Sequence, residues 1–409
     1  MIPFATVRAL AGQFRFALFG VAAALPTIRG DFFRLWLEGG RNGEMVYLSA
    51  HLEQRLDPRV LLEGARSIIC VADRHATTMP PCDTPDATPD TGQGTGRIAR
   101  YAWGDDYHLV LKKRLFGVAD ALRQKYPRHQ FKVAVDTAPI LEREHAGRAG
   151  LGWIGKHTLL IHPQIGSYML LGQIVTTLPI ETSSAAGYPA PTRLQTDHCG
   201  TCTRCIDACP TDCIRPYQLD ASRCISYLTI EHRSLIDPEL HGQMGDWIAG
   251  CDVCQEVCPF NGQEPEENQK SADDAVHPHY TPRPPAPALG YLEVLDWSAE
   301  DRSRAFVRSA LKRIKLDMLK RNVLIAAGNH LRYCEDPELR RKIESLAGDE
   351  GQPTLVRETA RAVLRRLTRC DTAVGRRRAG RSPISASRPD LRDGACPGDK
   401  DRGAAPSAG

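Results

Sequence analysis

Nine of the fourteen cysteines fall between positions 199 and 258, and their spacing is the strongest chemical signal in the chain. Residues 199–210 read C-G-T-C-T-R-C-I-D-A-C-P, which is C-x2-C-x2-C-x3-C-P. Three thiolates this close wrap three iron corners of one 4Fe–4S cube, while the fourth, just ahead of the turn that Pro210 opens, points towards a second cluster. Residues 251–259 repeat the end of the pattern as C-D-V-C-Q-E-V-C-P, so Cys258 should return to the first cube. One cluster is then expected on Cys199, Cys202, Cys205 and Cys258, and the other on Cys209, Cys251, Cys254 and one thiolate more. Cys213 and Cys224 are both available for that last corner. Cys213 follows Cys209 on the same short turn, whereas Cys224 lies beyond an intervening loop and can close the cube from another side. Cys224 is the expected ligand. Two four-cysteine zinc sites are the competing reading, but shared ligands and two Cys-Pro ends fit iron–sulfur better. Such a pair of clusters moves electrons one at a time.

The elements that must position this block form an α+β multidomain chain. Residues 1–195 read as a mixed α/β domain, with short β-branched runs at 66–72, 131–135, 159–161 and 168–176 predicting strands. Between them, 107–126 has apolar residues at helical spacing. The Pro-, Thr-, Asp- and Gly-rich stretch 79–96 predicts a loop or lid. Residues 196–290 form the cysteine domain, entered and left through Pro-containing breaks at 182–192 and 278–287. Residues 291–370 read as helical, with 319–330 and 354–367 resembling repeat units, and 371–409 as a disordered tail in which Cys396 is incidental. The apolar stretch 14–25 is too short to span a bilayer and contains Arg15; a buried start to the first domain is preferred over a signal-peptide core.

Clustered C-x-x-C pairs favour metal over disulfides, and hence a reducing cytoplasm. A net charge of +4 over 409 residues is only mildly basic, so nucleic-acid binding has to be argued from where the charge sits. The place is 308–321, expected as a basic helix carrying Arg308, Lys312, Arg313, Lys315, Lys320 and Arg321. Most of the chain lies outside the cluster module, which argues for an enzyme carrying its own electron input.

Several long motifs stand in one order: R-I-A-R-Y-A-W-G-D-D-Y-H at 97–108, V-A-V-D-T-A-P-I-L-E-R at 133–143, G-R-A-G-L-G-W-I-G-K-H-T-L-L-I at 147–161, C-I-S-Y-L-T-I-E at 224–231 and R-N-V-L-I-A-A-G-N at 321–329. Together they resemble the epoxyqueuosine reductase family over roughly 14–370. Cys213 stands where that family usually has a small residue such as alanine. The resemblance implies a cobalamin-dependent reductase, related to reductive dehalogenases, that converts the epoxide of epoxyqueuosine at the tRNA wobble position into the cyclopentene of queuosine. It implies a mixed α/β cobalamin-binding domain, a ferredoxin-like double-cluster domain and a C-terminal HEAT-like helical repeat contacting tRNA. Cofactors are then two 4Fe–4S clusters and cobalamin. Expected partners are tRNA carrying epoxyqueuosine and an external low-potential electron donor, with no membrane contact, for a cytoplasmic monomer. A reductive dehalogenase-like reductase of a small molecule is the alternative, disfavoured because that class calls for a twin-arginine export signal and no basic repeat. A non-catalytic electron-transfer module is a third reading.

Asp136 matches the family's proton donor. A carboxyl group at the end of an apolar strand, beside a bulky corrin, should be desolvated and its pKa raised. Glu142 and Glu144 are alternative acids, expected instead to pair with Arg143 or Arg148. Tyr101, Lys156 and Ser226, with Asp136, are the expected corrin or substrate contacts. Glycines 147, 150, 152 and 155 suit either a loop pressed on a ligand or simple turns. Asp106-x-His108 and Asp73-x-His75 lack the glycine of the D-x-H-x-x-G cobalamin motif, so no histidine is nominated as a cobalt ligand.

Overall fold

The computed structural model describes residues 1–75, 94–187, 198–261 and 276–378, with side chains to 368. Most of the expected 79–96 loop, the end of the 182–192 break and everything after 378, Cys396 included, lie outside the described residues. Met1–Leu367 form one compact unit and Thr368–Gly409 a separate one. The last helix runs Thr354–Arg378, eight residues past the boundary drawn at 370 from composition.

Each β-branched run became a strand because alternate residues could be buried on two faces. Leu18–Ala23, Ser67–Arg74, Met169–Thr176 and Phe131–Ala134 lie side by side in that order, all antiparallel. Ile69 and Val71 face one core, with Val21 and Ile174, under the helix Tyr107–Lys125; Ile68, Cys70 and Ala72 face another, over the helix Glu142–Arg148. Tyr107–Lys125 presents Leu111, Leu115, Val118, Ala119 and Leu122 to the sheet, each at most 1% exposed. Each large side chain among them contributes roughly 1.5–3 kcal/mol of burial. Its cap is Asp106, whose carboxylate accepts the His108 backbone N–H at 3.0 Å.

The expected domains interlock. Thr95–Ile98 pairs in parallel with Trp247–Ala249 and antiparallel with Ala288–Gly290, so the first segment and the cysteine segment share a three-stranded sheet. The helical segment is pinned by the 321–329 motif. Arg321 is fully buried and donates to the carbonyls of Leu228, His232 and Ser234 at 2.7–2.8 Å. Asn322 donates to Thr229 and Ile248, and Asn329 to His241 and Gly245. A Cβ at Gly328 would lie 2.4 Å from Val363, so only glycine lets Leu316–His330 approach Thr354–Arg378 this closely.

Two expectations change here. Residues 308–321 are not one basic helix: a 3₁₀ turn, Ala310–Arg313, precedes an α-helix that begins at Leu316. Arg321 leaves the cationic face, because the inner side of that helix buries it. The glycine run mainly makes turns rather than a ligand cradle. Gly152 has φ +149°, and a Cβ there would meet the Ile161 carbonyl at 2.2 Å, while one at Gly155 would meet the Ile161 side chain.

Candidate active site

Asp136 follows the strand Phe131–Ala134 and adopts the left-handed conformation, φ +47°, which aspartate tolerates better than most residues. That twist ends the strand and turns the carboxylate towards the first turn of the helix Tyr107–Lys125. There Oδ2 lies 2.9 Å from His108 Nε2, and His108 Nδ1 lies 2.7 Å from Asp106 Oδ1. Tyr107 stacks on the imidazole at 4.0 Å, and Tyr101 meets Tyr107 edge-on at 6.1 Å. Arg313 bridges from the helical segment, with Nη1 3.6 Å from Asp136 and Nη2 2.6 Å from Glu231. Glu142 accepts the Asp136 backbone N–H.

These contacts overturn the expected pKa of Asp136. Burial alone would raise it, but the hydrogen bond and charge of His108, together with the Arg313 charge, outweigh burial and hold it below the usual value. His108 moves the other way. Burial disfavours its cation, yet the two flanking carboxylates push it up to about 9. The proton of the pair therefore resides on His108 at neutral pH. Glu142, pushed up to about 8 by burial and the Asp136 charge, is not the Arg143 ion-pair partner expected; its carboxyl meets Asp136 only through the backbone N–H. Glu144 does pair with Arg148, and also accepts from Thr27.

Asp136 and Glu142 line a cavity of about 150 Å³, and Glu142 with Arg143 also lines one of about 410 Å³. The larger has Phe32, Phe33 and Trp36 on one wall, and Tyr217, Gln218 and Leu219, from the segment joining Cys213 to Cys224, on another. Arg55 on its wall is buried, and its Nε has no hydrogen-bond partner. Such a nitrogen suits a polar atom of a bound group.

The cysteines lie in two neighbouring groups, with Cys254 also within charge reach of Cys205. Cys205 is surrounded by Cys199, Cys202 and Cys258, against Trp153, Ile161 and Phe260. Cys254 faces Cys224 and Cys251, while Cys251 faces Cys224 and Cys209, against the apolar wall of Ile225, Tyr227, Leu228 and Trp247. Cys213 is a buried ninth thiol, its sulfur 3.4 Å from that of Cys209 and hydrogen-bonded to that of Cys224. The thiolates of a tetrahedral zinc site would lie about 3.8 Å apart. Among the described residues no three His, Cys, Asp or Glu side chains close around a single ion.

Tyr101 lies beside the Asp136 cluster. Lys156 does not: its Nζ donates to the carbonyls of Gly200 at 2.6 Å and Cys202 at 3.1 Å, which occupies the ammonium in holding the first cysteine loop. Ser226 belongs to the second quartet, with its backbone N–H directed at the Cys224 sulfur from the start of the helix Ile225–Ile230. Sequence reasoning missed His108 and Tyr107 and gave Arg313 to the nucleic-acid face. The adjacency of an N-cap aspartate to a histidine at 106–108 was the one available signal.

A family model described as "Epoxyqueuosine reductase QueG, DUF1730" matches residues 55–137, and one described as "4Fe-4S double cluster binding domain" matches 198–261. An epoxyqueuosine reductase of Leadbetterella byssophila is 36% identical over 322 residues, covering 78% of this chain and 96% of the relative. Among solved structures, a selenomethionine-labelled epoxyqueuosine reductase superposes with a TM-score of 0.74 at 28% identity, covering 89% of this chain and 90% of the other. Another, an epoxyqueuosine reductase with a tRNA-Tyr epoxyqueuosine-modified stem loop, gives 0.73 at 28% identity, covering 88% of each.

Proposed function

The chain belongs to the epoxyqueuosine reductase family, and on that premise we propose that it reduces epoxyqueuosine to queuosine in tRNA with two 4Fe–4S clusters, cobalamin and the proton donor Asp136. The observation that carries the chemistry is the setting of Asp136. With 38% of its side chain open to solvent, it faces a cavity rather than the core, and Arg143 on that cavity's wall lies within charge reach of both Asp136 and Cys254. That supports a reading in which proton source and electron source serve one space.

The first cube is assigned to Cys199, Cys202, Cys205 and Cys258, the second to Cys209, Cys224, Cys251 and Cys254. Cys224 takes the last corner because Cys251 and Cys254 both face it. Cobalamin is assigned to the larger cavity, whose 410 Å³ would hold only part of it, with aromatic walls available to the ring and the orphaned Arg55 nitrogen to a peripheral amide. When bound, the cubes supply electrons singly and the cobalamin supplies the reducing centre that meets the epoxide. The protein's own residues orient the substrate and hand protons to the departing oxygen. Tyr101 backs the site, Lys156 braces the first cluster loop and Ser226 the second quartet.

The tRNA face is assigned to Arg308, Lys312 and Lys315, all exposed and close in sequence to Arg313, just ahead of a HEAT-like domain formed by Leu316–His330, Pro337–Gly348 and Thr354–Arg378. Phosphate contacts of this kind position the substrate without reading its sequence. No described helix is long and apolar enough to cross a membrane. The electrons come from an external low-potential donor, and the enzyme works as a cytoplasmic monomer.

The test is anaerobic incubation of cluster-loaded protein with reductant, cobalamin and epoxyqueuosine-containing tRNA, followed by nucleoside analysis. Queuosine should accumulate. Its absence from an intact preparation rejects the reading. Asp136→Asn should slow turnover by about 10²–10⁴-fold, the usual worth of a positioned acid, with cluster absorbance unchanged.

A further inference from the structure

Turning an epoxide into an alkene consumes two electrons and two protons and releases one water. One carboxyl group delivers one proton and must then be recharged inside the pocket. Asp136 is in no position to hold a reserve itself, since His108 and Arg313 both favour its anion.

The geometry around His108 provides that reserve. Its two ring nitrogens point at two carboxylates, Asp106 at 2.7 Å and Asp136 at 2.9 Å. Ionised carboxylates only accept, so both nitrogens must carry a proton for both contacts to be hydrogen bonds. The ring cannot rotate away, because Tyr107 covers its face and Asp106 is fixed by capping the helix through the His108 backbone N–H. Accessibility grades in the useful direction: 38% for the Asp136 side chain, 15% for His108 and 16% for Asp106. The carboxylate meets the substrate while the imidazole stands behind it. Two other groups keep a proton near neutrality: Glu142 contacts Asp136 through the main chain and has no such line to its carboxylate, and the Tyr107 hydroxyl donates to that carboxylate but is held protonated by burial and the Asp136 charge, too weak an acid to recharge it.

We propose that His108 supplies the protons that Asp136 delivers: for each proton the Nε2–H of His108 moves to the Asp136 carboxylate at Oδ2, Asp136 passes a proton on to the substrate oxygen and returns to its anion, and His108 is recharged from water. Over one turnover the epoxide takes two protons by this route and two electrons from the clusters, ending as alkene and water. His108 acts through Asp136 and does not touch the substrate. The inference rests on the epoxyqueuosine reductase reading above. The groups that set its titration are Asp106, Asp136 and Glu142 around it, with Arg313, Glu231 and Lys312 one step away.

The experiment is single turnover of epoxyqueuosine-containing tRNA by the cluster- and cobalamin-loaded enzyme from pH 6 to pH 9.5. Wild type should be flat to about pH 8 and fall as His108 loses its proton near 9. His108→Gln keeps a hydrogen bond to Asp136 but carries no transferable proton. Its rate should fall roughly tenfold for each pH unit between 6 and 8, because Asp136 must then take protons directly from water. His108→Ala should be slow and recover with added imidazole. Cluster and cobalamin absorbance and tRNA affinity should match wild type in both variants. A His108→Gln enzyme with the wild-type profile overturns the inference, as does a loss of rate that is flat with pH and that imidazole leaves unrepaired in His108→Ala. The wider reading fails separately: wild type would make no queuosine, or Asp136→Asn would run at full rate.

Discussion

Replacing Arg321 by Met should loosen the helix Leu316–His330 and leave the charge-dependent part of tRNA binding intact. The side chain is fully buried and makes no direct ion pair among the described residues; burial pulls its pKa down to about 10. Its guanidinium instead satisfies four oxygens, the Leu228 carbonyl and Asn322 Oδ1 in buried bonds and the His232 and Ser234 carbonyls in partly buried ones. Methionine fills similar volume but offers no donor. The Leu228 oxygen and Asn322 Oδ1 then lose this donor at a cost of about 1–3 kcal/mol each, and the other two, which water can partly reach, add roughly 0.5–1 kcal/mol each. Relief of the buried cation offsets some of this, leaving about 3 kcal/mol. A local opening energy lowered by that amount speeds amide exchange by roughly a hundredfold. Hydrogen–deuterium exchange on peptides covering 316–330 reads it directly, with tRNA affinity followed across a salt series. Unchanged exchange combined with a shallower salt dependence would refute the reasoning, because Arg321 would then be a phosphate ligand.

The exposed cations should behave in the opposite way. Lys312→Ala and Lys315→Ala should each weaken tRNA binding and flatten the log–log salt slope by up to about one unit, with exchange in 316–330 unaltered. Cys224→Ala should drop bound iron from roughly eight to roughly four per chain, whereas Cys213→Ala should keep the full complement; full iron in the first variant would pass the corner to Cys213. The His108 pair should also appear in stability. His108 rises from 6.5 to about 9 on folding, so its contribution is complete below pH 6.5, fades through the interval and is gone above about 9. Denaturation of wild type against His108→Gln should show this as roughly 2 kcal/mol, discounted for the solvent that reaches Asp136. Equal pH dependence in the two would remove the ion pair from the account.

Local pattern and covalent spacing told most of what the chain carries. The Cys-x-x-Cys runs with their prolines divided the thiols into two sets, because a tight loop leaves a cysteine few directions to point. The β-branched runs and the apolar stripe of 107–126 defined the sheet and its helix through the periods of burial, while Asp136, an acid where a strand ends, was singled out by the family resemblance of its motif. Tertiary packing decided everything that depends on a partner distant in sequence. Asp136 meets His108, 28 residues earlier in the chain, and Arg313 from the helical segment. These two cations reverse the pKa shift that burial alone would give. Lys156 turned from the cofactor to the Gly200 and Cys202 carbonyls, and Arg321 from phosphate to the backbone of 228–234. A charged side chain's role is set by which acceptors lie within about 3 Å of it, and only the folded chain brings those acceptors together.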